Sequence, residues 1–189
     1  EGGWPGANPT DTEFFDKDLI APREITEETS GFYWATNKSY SQVKAICDDP
    51  DLRLMDIEVR STSPYMRYDV VLGPVTDEKS YKCWFVAKKT YSELADYLEE
   101  KNARILDIEI HGSNNYLAAI VVKKEFDSSR FKFYTGIKSS KMSDKIRDIS
   151  SNNERPIDIE AYLNSNGARR YAIVTVPNYG VHQKNWYIY

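Results

Sequence analysis

The chain has 189 residues, of which 41% are hydrophobic and 29% charged. That is the composition of a soluble globular chain with a real core, in one domain or a tight repeat array. No run of about 18 apolar residues exists, which excludes a transmembrane helix, and a net charge of −4 lacks the basic footprint of a nucleic-acid binder. Two cysteines exclude a disulfide-dense scaffold and a multi-cysteine zinc site, and two histidines, His111 and His182, leave little for histidine-based catalysis. Tyrosine occurs 14 times and aromatics make up 13% of the chain. Such rings serve either a core with wet edges or a recognition surface.

Residues 1–30 carry Gly2, Gly3, Pro5, Gly6, Pro9 and Pro22 with an acidic stretch from Asp11 to Glu28. They read as an extended N-terminal arm pinned by Trp4, Phe14 and Phe15. The chain opens on Glu1 without an initiator methionine or a signal peptide, as a processed or trimmed chain would.

From residue 31 the sequence repeats. Asp-Ile-Glu begins at Asp56, Asp107 and Asp158, a spacing of 51 residues both times, and arginine precedes each by three residues at Arg53, Arg104 and Arg155. Upstream of each anchor lies a helical stripe: Tyr40, Val43 and Cys47, then Tyr91, Leu94 and Leu98, then Met142, Ile146 and Ile149. Ser39 with Gln42, and Thr90 with Glu93, form capping boxes; in the third unit Ser139 or Ser140 is expected to take over. Each anchor sits on a strand that turns and returns. The turns fall at 61–64, 112–115 and 164–167, the last with an Asn-Gly pair that predicts a type I′ hairpin. The return strands run from Arg67 to Leu72, Leu117 to Val122 and Arg170 to Val176. An aromatic strand opens each unit at Phe32-Tyr33-Trp34, Cys83-Trp84-Phe85 and Phe133-Tyr134, and recurs once more at Trp186-Tyr187-Ile188-Tyr189. The predicted fold is therefore α/β: three tandem strand-helix-hairpin repeats of 51 residues, packed into one domain with a closing aromatic strand. The units are 31–81, 82–131 and 132–184, and the closing strand is 185–189.

Strand alternation places Met55, Ile57 and Val59 on one face against Asp56, Glu58 and Arg60 on the other. It likewise sets Leu106, Ile108 and Ile110 against Asp107, Glu109 and His111, and Ile157 and Ile159 against Asp158 and Glu160. The six carboxylates Asp56, Glu58, Asp107, Glu109, Asp158 and Glu160 are expected to be structural, pairing with basic residues such as Arg67, Lys123, Arg169 or Arg170. Repetition in every unit is what architecture produces, whereas a glycosidase pair would single out one set; calcium binding by these oxygens is the other reading. Asp107, Glu109 and His111 would splay along a strand rather than converge on a metal. Ser41-Gln42-Val43-Lys44 matches Ser-x-x-Lys, but Ser92 and Ser143 recur at the same place in the first helical turn, which reads as structure. No metal, no cofactor and no catalytic residue is assigned.

Cys47 and Cys83 occupy core positions and are either two buried thiols or, if the chain is secreted, a disulfide. Asn37-Lys38-Ser39 is a glycosylation sequon in an exposed place. The recurring rings, with Trp34, Trp84, Tyr134 and Trp186 as the candidate ligand-binding set, either pack between units or form a row for stacking on sugar or peptide.

The pattern Arg-Leu-Met-Asp-Ile-Glu at 53–58, Arg-Ile-Leu-Asp-Ile-Glu at 104–109 and Arg-Pro-Ile-Asp-Ile-Glu at 155–160 comes with Arg170-Tyr171-Ala172-Ile173-Val174 and Trp186-Tyr187. It resembles the non-catalytic N-terminal repeats of fungal polyglycine hydrolases and related tandem-repeat proteins secreted by bacteria. The resemblance covers residues 31–189. It implies a secreted accessory or binding domain of a larger hydrolase, whose serine β-lactamase-like catalytic domain lies outside this sequence. The expected function is a secreted, non-catalytic, aromatic-rich repeat module for protein or carbohydrate ligands, with neither nucleic acid nor membrane as partner. The alternatives are a small carboxylate-dependent hydrolase centred on Asp107, Glu109 and His111, and a self-assembling structural repeat protein, since strands at array ends can pair with further copies.

Overall fold

The computed structural model describes residues 32–74, 83–112, 114–124, 131–179, 184 and 186. Within them the chain is mixed α/β, with three antiparallel three-stranded sheets and three helices. The first sheet holds β1 (Tyr33–Lys38), β2 (Leu52–Ser61) and β3 (Arg67–Pro74), with helix α1 (Tyr40–Asp48) between β1 and β2. The second holds β4 (Cys83–Lys89), β5 (Ala103–His111) and β6 (Tyr116–Lys123), with α2 (Tyr91–Glu100). The third holds β7 (Lys132–Lys138), β8 (Glu154–Leu163) and β9 (Arg169–Pro177), with α3 (Met142–Ser151). In each sheet the return strand is central, so β2, β5 and β8, which carry Asp-Ile-Glu, are all edge strands.

Local chemistry explains the helix starts. The Ser39 hydroxyl accepts from the Gln42 amide at 3.3 Å while the Gln42 side chain accepts from the Ser39 amide at 2.8 Å. Thr90 and Glu93 reproduce this reciprocal cap on α2. On α3 neither Ser139 nor Ser140 supplies a side-chain cap. A 3₁₀ turn over Ser139–Lys141 precedes the helix instead, and its Ser139 carbonyl takes the Met142 amide, so backbone replaces the expected hydroxyl. The last hairpin also departs from expectation. Gly167 alone adopts positive φ (72°), its amide bonds the Asn164 carbonyl at 2.8 Å, and the Asn164 side chain accepts from the Asn166 and Ala168 amides. This is a three-residue loop ending in a left-handed glycine rather than a type I′ turn.

One irregularity recurs in all three edge strands. The register against the central strand slips between Leu54 and Asp56, between Ile105 and Asp107, and between Pro156 and Asp158. A bulge of this kind inserts one residue and reverses the side-chain phase. Leu52, Leu54 and Ile57 are therefore buried together, as are Ala103, Ile105 and Ile108. Uniform alternation had put Leu106 beside Ile108. In the structure Leu106 packs instead with the core that contains Ala118 and Ile120, on the other face.

The layers follow from this phase. α1 lies between the first sheet and the second, where Val43 and Ile46 join Leu54, Ile57, Val70 and Leu72 from one side and Phe85, Ala118 and Ile120 from the other. α2 lies between the second and third sheets, where Leu94 and Leu98 join Ile105, Ile108 and Val121 with Ala172 and Val174. The central strand β6 is thus buried on both faces, which explains its unbroken run from Leu117 to Val122. A disulfide joins Cys47 on α1 to Cys83 on β4, with Cα atoms 5.3 Å apart, and ties the first helix to the second sheet. It closes a span of 36 residues. Replacing Cys83 by serine is expected to lower unfolding stability by about 3–4 kcal/mol in urea titrations under oxidising conditions.

Candidate functional site: the carboxylate tiers and the seam clefts

Where an edge strand bulges, one backbone amide loses its partner in the ladder. The structure satisfies it from the next sheet. The Ile57 amide donates to Asp107 Oδ2 at 2.8 Å, and the Ile108 amide donates to Asp158 Oδ2 at 2.9 Å. The middle Asp-Ile-Glu thus presents an acceptor toward the first sheet and a donor toward the third, while the first supplies only the donor and the last only the acceptor. Among the described residues none of the six carboxylates joins a salt bridge, so the expected pairing with Arg67, Lys123, Arg169 or Arg170 is corrected. Edge-to-edge packing of β2, β5 and β8 turns these side chains toward one another and toward backbone rather than toward basic neighbours in their own sheets.

This packing gathers like charges in low dielectric. Asp107 and Glu109 are only 7% and 9% exposed. Burial pushes Asp107 up to about 8, helped by the charges of Asp158, Asp56 and Glu160 and opposed by the Ile57 amide. Glu109 rises to about 9 through burial and the charges of Glu160, Glu58 and Asp107, against the Val59 amide. Asp158 reaches about 6, chiefly through burial, and Glu160 about 7 through burial with Asp158 and Glu58 beside it. Asp56 and Glu58, though exposed at the outer edge, are also raised, first by the partial loss of water around their carboxyls. The three edge strands thus bring their carboxylates within range of mutual repulsion, an aspartate and a glutamate from each strand forming two tiers along it. Among the described residues no group of three ligand-type side chains has the geometry to hold a metal ion.

His111 lies at the end of the strand that carries Asp107 and Glu109, in unbroken register with them. It lines a cleft of about 490 Å³ with Lys88, Glu93 and Tyr116, and burial and the Lys88 charge lower its pKa. Neither carboxylate lines that cleft.

The aromatic candidates separate by face. Trp34 stands opposite Val71 in its sheet, Phe85 opposite Ile120 and Phe133 opposite Val174. These three share one position, whereas Trp84 and Tyr134 are each one residue out of phase with it. Trp84, half-buried, packs on the α2 core, and Tyr134 lies beneath Lys145 of α3, 3.5 Å from its ring, with its hydroxyl donating to Glu154. Trp34, Trp84, Tyr134 and Trp186 therefore form no single row. Trp186 is half-buried and lies in no strand. Tyr187, Ile188, Tyr189, His182 and the arm of residues 1–30 lie outside the described residues.

Two aromatic clefts follow the seams between sheets. One, of about 250 Å³, lies between α1 and β4 and is lined by Tyr40, Trp84, Phe85 and Tyr97 with Lys44, Asp48 and Lys89. The other, about 530 Å³, lies between α2 and β7 and is lined by Tyr91, Phe131, Phe133, Leu94 and Leu98. Tyr40 sits 5.3 Å from Phe85, and Tyr91 stacks on Phe133 at 5.7 Å. Tyr97 was not singled out from sequence, because its helical position is off the apolar stripe. Glu154 was also missed: it is buried where the other sheets place Leu52 and Ala103, and it accepts from Lys132, Tyr134 and Thr175. Asn37 is exposed, as its sequon suggested.

Comparison of the chain with protein-family models, with curated proteins and with solved structures finds no match.

A carboxyl whose folded-state pKa lies above its unfolded value binds its proton more tightly when folded. Its contribution to stability is complete below about pH 4 and is lost as the pH climbs through the folded value. Unfolding stability of this chain should therefore decline between pH 5 and pH 9, most steeply at about pH 5 to 6, where Asp107, Glu109, Asp158 and Glu160 hold protons only in the folded chain, and should level off above the values of about 8 and 9 for Asp107 and Glu109. Glu109→Gln should flatten that decline in urea titrations across the range. A stability that rises with pH there would contradict the assignment.

Proposed function

We propose that the three sheet-and-helix units are tandem strand-helix-hairpin repeats of about 51 residues, and that the chain is a secreted, non-catalytic module that binds a protein or glycan segment. The observation that carries this reading is the seam cleft between α1 and β4. There Tyr40, Trp84, Phe85 and Tyr97 supply ring surface, and Lys44, Asp48 and Lys89 supply polar groups at hand. Aromatic faces with a few convergent polar groups suit sugar C–H faces or peptide side chains. The Cys47–Cys83 disulfide and the exposed Asn37 sequon support an extracytoplasmic setting. Kinship with the accessory repeats of polyglycine hydrolases belongs to the same proposal, and would make the chain a partner of a hydrolytic domain.

A carboxyl protonated at neutral pH is also what a general acid requires, and Asp107 and Glu109 give the hydrolase alternative its one point of support. Against it, Asp107 already accepts the Ile57 amide, and the three clefts described above contain none of the six carboxylates.

Screening the protein against glycan and peptide arrays tests the reading. Trp84→Ala is expected to weaken binding about tenfold or more, as loss of one buried aromatic anchor does, and Tyr97→Ala should act in the same direction. No hydrolysis of bound ligand is expected. Undiminished binding in both variants, or turnover abolished by Asp107→Asn, would overturn the proposal.

A further inference from the structure

The seam between sheets occurs twice inside the molecule, and its two halves are left open at opposite ends. In the second sheet Phe85 and Ile120 are buried under α1; in the third, Phe133 and Val174 lie under α2. The same positions in the first sheet are Trp34 and Val71, and among the described residues no helix covers them. Trp34 is 61% exposed, and Phe32, whose ring lies over Gly73, is 74% exposed. At the far end α3 buries only Ile149, while Met142 and Ile146 remain half-exposed. Ile159 of β8 is 36% exposed, where Ile57 and Ile108 are 1%. The polar half matches the apolar one: Asp107 and Asp158 each take an amide from the preceding sheet, but Asp56 is exposed and makes no hydrogen bond among the described residues.

We propose that these ends join in a second copy of this chain, head to tail: α3 of one copy covers the Trp34 face of the next, whose Asp56 takes over the Ile159 amide that Asp158 holds within the single chain. The contact repeats in trans what the chain makes twice in cis, a helix against the outer face of a sheet with an aspartate on the neighbouring edge strand. Because the two surfaces differ, the contact is heterologous; it closes into a ring or grows as an open chain according to the rotation between copies. The seam clefts take no part, so Trp84→Ala leaves association unchanged.

Sedimentation velocity of the full chain over a concentration series reads this directly. The wild type is expected to associate in a concentration-dependent way. Trp34→Asp damages one end and Ile146→Asp the other, so each alone should sediment as a monomer. Mixed, they should form a one-to-one pair through the intact end of each. Circular dichroism checks that both fold, and Asp56→Asn, at an exposed site, gives a milder variant expected to weaken association several-fold. A wild type that stays monomeric at every concentration would overturn the proposal, and would leave the Trp34 face to residues 1–31 or to another ligand. Association that survives both aspartate substitutions, or folded variants that fail to pair on mixing, would overturn it too.

Discussion

A hydrogen bond from a bulged strand to a neighbouring aspartate holds the architecture together. Without the bulge, the outward-pointing amides of these edge strands would fall at residues other than Ile57 and Ile108. With it, each amide needs an outside acceptor, and Asp107 and Asp158 meet that need at 2.8 and 2.9 Å. The apolar layers then fall into place. The bulge reverses phase, so Ile57 and Ile108 face their own helices while Leu106 turns to the previous layer. One inserted residue therefore decides which helix each sheet packs upon.

The carboxylates do not serve this arrangement for free. Bringing three edge strands together crowds their acidic side chains where water is scarce, and the structure answers with protons rather than with basic partners. The cost is largest in the middle sheet, whose Asp107 and Glu109 have neighbours on both sides.

Periodicity made the units legible: the recurrence of Asp-Ile-Glu, the two capping boxes and the Val- and Ile-rich return strands all lie on regular elements whose local chemistry is self-contained. The bulge was not legible, because a one-residue insertion leaves no compositional mark and is visible only as a register against the partner strand. The misplaced faces and pairings follow from it or from similar shifts. Leu106 was assigned to the wrong face, the carboxylates were paired within their sheets, and Trp34, Trp84 and Tyr134 were aligned as a row although they stand in different phases. Glu154 was invisible for another reason: its burial depends on Thr175 and Tyr134, two residues brought to it only by sheet formation. Trp84 and Tyr97 share a cleft only because α1 and α2 flank the same strand.

The two seams are built alike in their packing but not in their chemistry. The first carries the Cys47–Cys83 crosslink; among the described residues the second has Leu98 and Phe131 near the corresponding places and rests on packing and one aspartate bond. Under tension the molecule is thus a hinge with one bolted leaf. The first and second sheets travel together, the third is held by contacts that can part and re-form, and load drawn across the array is released between α2 and β7.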